Sequence, residues 1–140
     1  MKEILDFLAE LSCNNNREWF NDHKDWYIRC HKHFEQFTSQ WLERLVKIDP
    51  ELTGLQPKDC IWRIYRDVRF SHDKRPFKEW FGVFLAVKGG KKRDRGGYYI
   101  HIQPDKCMFA GGMWCPNKDL LHAVRREILA NYDEVEDIFA

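Results

Sequence analysis

The sequence predicts an α+β domain, an antiparallel sheet of about four strands packed by a long N-terminal helix and a C-terminal helix. Three observations lead there. Phe20, Tyr27, Phe34, Trp41 and Ile48 recur every seven residues, which lays one apolar stripe along a helix. From Cys60 the apolar period falls to two, the alternation of an extended chain. Further on, apolar runs are joined by short connections rich in Gly, Pro and Asp, so successive strands pair antiparallel.

Residues 2–11 read as a short amphipathic helix, with Ile4, Leu5, Leu8 and Leu11 at helical spacing. The run Cys13-Asn14-Asn15-Asn16 interrupts it, and Asn15 with Glu18 has capping-box spacing. The long helix then covers about residues 16–48 and stops at Asp49-Pro50, because Pro disfavours helix in the residue before it. In 60–71, Cys60, Trp62, Ile64, Arg66, Val68 and Phe70 share one side of an extended segment whose regular part is expected to stop near Arg66. Trp80 to Val87 is apolar on both faces and reads as a central strand. A basic loop, residues 89–97, leads to strands at Tyr98–Gln103 and Cys107–Ala110, joined by a Pro104-Asp105-Lys106 turn. Gly111-Gly112 suggests a bend or a close backbone approach. A helix starts near Asn117 with Leu120, Leu121, Val124 and Ile128 as its buried stripe, and another starts at Asn131.

At 140 residues the chain is one domain, 1–140. Hydrophobic residues at 44% and aromatics at 15% argue for a packed globule and against disorder. No run approaches the roughly 18 apolar residues of a membrane span, so no membrane association is expected. The acidic, amphipathic start lacks signal-peptide character, and cytoplasm is the default. Five cysteines at irregular spacing without Cys-x-x-Cys read as reduced thiols rather than a disulfide or zinc framework. Cys30, His31 and His33 do not converge on a helix, so no metal site is expected there. The net charge of +1 conceals a basic excess of seven in residues 58–106, between ends that are each acidic by three.

The densest chemistry lies in Arg63–Lys78, RIYRDVRFSHDKRPFK. Arg66 falls in an otherwise apolar row and must meet a carboxylate or a bound anion, since an unpaired buried charge is very costly. NNNREWF (14–20) followed by His23-Lys24, the Arg63–Lys78 run, Tyr98-Tyr99-Ile100-His101, and GGMWCP (111–116) followed by Arg125 occur together and in order. In these the chain resembles the widespread, mainly bacterial family called domain of unknown function 2461. Members of that family are longer, so a C-terminal segment is expected to be missing here. The resemblance implies no activity, cofactor or partner.

The residues themselves leave several functions open. Arg63, Arg66, Arg69, Lys74 and Lys78, with Tyr99, suit a phosphorylated or acidic small molecule, because guanidinium forks match phosphate and carboxylate oxygens. The same charges also fit an internal network neutralised by Asp67 and Asp73. A phosphoesterase- or nuclease-like hydrolase would use Asp67 and Asp73 as bases or metal holders, Lys74 at a developing oxyanion and His101 as proton carrier. No Walker loop, Gly-x-Ser-x-Gly or His-Glu-x-x-His supports a named chemistry, and no cofactor is implied. Basic residues interleaved with Tyr65, Phe70, Tyr98 and Tyr99, plus the 88–95 loop, allow nucleic-acid binding, which the near-neutral total charge disfavours. Asn14–Asn16 with Arg17 and His23 read as helix caps or as an anion site at a helix start. A protein-interaction module would instead show an exposed apolar patch and no pocket.

Overall fold

The computed structural model describes residues 1–87 and 96–140; the basic loop expected at 89–97 lies largely outside them. The chain runs through helices α1 (Lys2–Cys13), α2 (Arg17–Asp22) and α3 (Lys24–Leu45), a 3-10 turn at Pro50–Leu52 and a one-turn helix α4 (Pro57–Cys60). Strands β1 (Phe81–Leu85), β2 (Gly97–Ile102) and β3 (Met108–Gly112) follow, then helices α5 (Lys118–Ala130) and α6 (Tyr132–Phe139). The fold is α+β, with three antiparallel strands in the order β1-β2-β3 among the described residues, not four. No helix among them is long and apolar enough to cross a membrane.

The helical stripes bury as their spacing requires. α1 buries Ile4, Phe7, Leu8 and Leu11, and α3 buries Cys30, Phe34, Thr38, Leu42 and Leu45. Both pack on the sheet face formed by Phe81, Val83, Leu85, Ile100 and Ile102. Phe7 sits at the centre, with its ring 5.4 Å from Trp26 and 6.4 Å from Phe81.

The single helix expected at 16–48 is two, broken at His23 (φ −108°, ψ 20°). The His23 Nδ1–H donates to the Trp19 carbonyl at 2.8 Å, and its ring stacks on Trp19 at 4.2 Å. The same carbonyl accepts the His23 backbone N–H at 3.0 Å, so the imidazole adds a second bond at the end of α2. α3 stops at Leu45, and Ile48, the last member of the heptad stripe, is exposed.

The expected strand at 60–71 does not form. Its place is taken by two isolated bridges, Ile61 with Val83 and Tyr65 with Phe77. Trp62 N–H donates to Gly82 O (2.9 Å), then Lys78 N–H to Ile64 O (2.8 Å) and Arg66 N–H to Pro76 O (2.9 Å). Between the first two bonds one segment advances two residues while the other advances four. The two extra residues, Glu79 and Trp80, bulge from the pairing and prevent a continuous ladder. Residue parity therefore fails here: Ile64 is buried, but Trp62 is 44% exposed and Phe70 is 95% exposed.

The C-terminal helix does not close the core. No residue of α5 or α6 is buried; Leu120, Leu121 and Val124 are only half-buried, and Ile128 is exposed. α1, α3, Leu52, Cys60, Ile64 and Phe77 already enclose the apolar interior. At Gly112 the expected bend is present (φ +138°), but no atom lies within 4 Å of where a Cβ would stand, so no close approach requires that glycine.

Gly82 is different. A Cβ there would stand 2.6 Å from the Trp80 indole and 3.3 Å from the Tyr99 hydroxyl oxygen, so the glycine lets Trp80 lie down on the sheet. Gly82→Ala should displace that indole and cost about 1–3 kcal/mol. A shifted Trp80 indole N–H resonance, together with a lowered urea midpoint, is the expected result.

Candidate functional site

Two clusters grow from the segment 61–80, one on each side of the bulge. The first is a lattice of arginines and carboxylates. Asp73 accepts from Arg66 Nη1 at 2.7 Å, from Arg75 Nη2 at 2.8 Å and from the Arg75 backbone N–H at 3.0 Å. Arg75 Nη1 also donates to Glu79 Oε1 at 2.5 Å, and Arg66 Nη1 donates to the Arg75 carbonyl at 3.1 Å. Arg69 forms a bidentate pair with Asp67, at 2.9 and 2.6 Å. The carboxylate that Arg66 required is thus Asp73 of the same chain.

The Arg75 side chain, then the Arg75 N–H and Arg66, hold the Asp73 carboxyl well below the usual carboxylate range. Arg69 lowers Asp67 in the same way, and the same pairs raise Arg75 and Arg69. Carboxylates stabilised like this are poorer bases than free ones.

Asn15 fastens the lattice to the helices. Its Oδ1 accepts from Phe77 N–H (3.1 Å), while its Nδ2 donates to Phe77 O (3.1 Å) and Glu79 Oε1 (3.0 Å). The N-cap of α2 is Asn16, which accepts from Trp19 N–H at 2.9 Å; with Trp19 at the third helical position, the capping box expected from Asn15 and Glu18 does not form. Asn14 donates to Glu10 O at the end of α1. All three amides are engaged within the chain.

The second cluster lies on the sheet face opposite the core. Tyr99 and His101 point there from β2, and Gly82 and Phe84 occupy the paired positions of β1. Trp80 packs on His101 (ring centroids 4.9 Å apart), Trp62 on Trp80 (5.4 Å) and Trp62 on Tyr99 (5.5 Å). The Lys78 ammonium lies 5.1 Å from the Trp80 ring and 6.0 Å from the Trp62 ring, and donates to the Arg63 carbonyl at 2.5 Å. Burial lowers the Lys78 pKa, and the Arg63 charge adds to the effect. Burial likewise raises that of Tyr99.

A hydrogen-bonded row crosses this face. Tyr99 Oη is 2.7 Å from His101 Nδ1, and His101 Nε2 is 3.0 Å from Gln103 Oε1. Since an amide oxygen only accepts, Nε2 carries the proton. On the neutral ring Nδ1 then accepts from the Tyr99 hydroxyl.

The structure therefore brings Lys78, Tyr99 and His101 into one cluster. It pairs Arg66 with Asp73 and Arg69 with Asp67, and Lys74 donates to Val68 O at 3.1 Å. No hydrogen bond or ion pair among the described residues joins Asp67 or Asp73 to His101. Tyr65 contacts Phe20 and Phe77 at 5.8 and 5.4 Å. Trp62, Trp80 and Gln103 were not singled out by the sequence, although a Lys-x-Trp before an apolar run and a Tyr-x-His-x-Gln alternation are visible in it. Among the described residues no group of three or more His, Cys, Asp or Glu side chains could hold a metal ion.

A family model described as a conserved hypothetical protein (DUF2461) matches residues 3–140, and the chain belongs to that family. No curated protein and no solved structure matches it.

Because the folded-state pKa of Asp73 is depressed, its contribution is complete above the unfolded carboxylate range and is lost as pH falls through the folded value. Asp73→Asn should lower stability at neutral pH. It should also flatten the decline in stability below about pH 4. Urea unfolding of both proteins across the acid range checks this; parallel curves would contradict it.

Proposed function

We propose that this member of the family binds a phosphate- or carboxylate-bearing ligand, and that Lys78 and Arg63 receive its anionic group beside Tyr99. One observation carries the reading. Arg66, Arg69 and Arg75 are each matched to a carboxylate, whereas Lys78 lies half-buried on two indoles with no carboxylate partner among the described residues. Arg63 is exposed, has no hydrogen-bonded side-chain partner among those residues, and acts electrostatically both on Lys78 and on the Asp67 carboxylate that Arg69 already pairs. Two neighbouring cations, one of them partly withdrawn from water, are stabilised together by an anion.

The remaining members of the basic segment take supporting parts in this reading. Arg66 and Arg69 hold the loop, and Lys74 keeps two donor hydrogens beyond its bond to Val68. A hydrolase would need Asp67 or Asp73 freed from its arginine, with His101 beside it. A protein-interaction module is a second reading, supported by the exposure of Leu129, Ile138 and Phe139 on α5 and α6.

Titration with inorganic phosphate and with acetate, followed by calorimetry and by the Lys78 side-chain resonance, tests the proposal. Binding should weaken roughly tenfold or more in Lys78→Gln and in Arg63→Gln, as expected for loss of a charge-assisted hydrogen bond. Arg69→Gln should bind like the unaltered protein. Equal binding by all variants, or none by the unaltered protein, would overturn it.

A further inference from the structure

The open face of the sheet carries more than a cation. Trp62 keeps 44% of its surface exposed next to Tyr99, while Trp80 is pressed onto Gly82 and meets Trp62 edge-on at 65°. The β3 residue opposite Tyr99 is Ala110, so no bulky side chain stands over that ring from the neighbouring strand. The hydrogen-bonded row also leaves defined polar positions. Tyr99 gives its proton to His101, so its oxygen remains an acceptor. Gln103 uses Oε1 to accept from His101, and its amide Nε2 keeps two hydrogens with no partner among the described residues.

Resting on the anion reading above, we propose that the anionic group at Lys78 and Arg63 is borne by a flat heteroaromatic body, as in a nucleoside monophosphate. That body lies against Trp62 and Tyr99, with its edge read by Tyr99 Oη and the Gln103 amide. A nucleobase has the matching chemistry. Its faces stack on aromatic side chains, and its edge places donors beside acceptors. An alkyl phosphate or carboxylate would satisfy Lys78 but leave the Trp62 face and the Gln103 donors unused.

The experiment titrates the common ribonucleoside 5′-monophosphates, the corresponding nucleosides and inorganic phosphate into the full chain, following the Trp62 and Trp80 indole N–H signals. At least one nucleotide should bind roughly tenfold or more tighter than phosphate and should shift the Trp62 signal. In Trp62→Ala that advantage should vanish, nucleotide binding falling to the level of phosphate binding to that same variant; the comparison is made within the variant because Trp62 is also one of the two indoles beside Lys78. Gln103→Leu, which keeps both indoles, should reduce it and alter the preference among bases. Nucleotides no tighter than phosphate would overturn this inference and leave the anion reading standing. Failure of both phosphate and nucleotides to bind would overturn the anion reading and this inference with it. Nucleosides binding as tightly as nucleotides would overturn the link between ring and anion.

Discussion

Where Trp62 pairs with Gly82 and Ile64 pairs with Lys78, the two segments cover unequal lengths of chain, and Glu79 and Trp80 have to leave the ladder. They leave in opposite service. Glu79 reaches Asn15 and Arg75, while Trp80 covers Gly82 and meets His101. Without the slip, the segment before β1 would be an ordinary edge strand. With it, the same backbone ties the helical layer to the arginine loop and furnishes the open face of the sheet with an indole. The absence of a side chain at Gly82 is what this arrangement demands of the neighbouring strand.

The slip also sorts the cations. Arg66, Arg69 and Arg75 lie on the side that holds Asp67, Asp73 and Glu79, and planar guanidinium groups can satisfy several acceptors at once. Exposed ion pairs of this kind are screened by water and add little to stability. Their main effect is geometric: one carboxylate, Asp73, fixes two arginines seven and two residues away. Lys78 lies on the other side, where its ammonium meets indole faces and a carbonyl. An ammonium suits that position, since it needs no matching fork of acceptors.

Much of this was legible in the sequence, for local reasons. β2 and β3 follow alternation and turn chemistry that act over a few residues; β1 is legible as an apolar run, but among the described residues it lies at the edge of the sheet and not at its centre. The expectation that Arg66 meets a carboxylate or an anion is met by Asp73, although the apolar row it was read from does not form as a strand. The choice of Asp73 over Asp67 depends on a loop path that no pattern encodes. The slip was illegible for a similar reason, because it is a relation between Trp62 and Gly82, and neither residue alone announces a change of register. Parity placed Trp62 in one apolar row with Cys60 and Ile64, yet Trp62 is 44% exposed. The break at His23 has no Gly or Pro to mark it; both its backbone N–H and its imidazole bond the Trp19 carbonyl. Leu120, Leu121, Val124 and Ile128 identified the apolar side of α5 correctly, but spacing cannot say whether anything covers it.

Asn15 behaves as a strand of a single residue, presenting to Phe77 the donor and acceptor that a paired backbone would present. A carboxamide in that position has a chemical lifetime that a peptide bond does not share. Hydrolysis of the side-chain amide would replace Nδ2, which now faces two oxygens, with a third oxygen and a negative charge beside Glu79. One spontaneous covalent change, with no substitution in the gene, would turn the tie between the helical layer and the arginine loop into a repulsion.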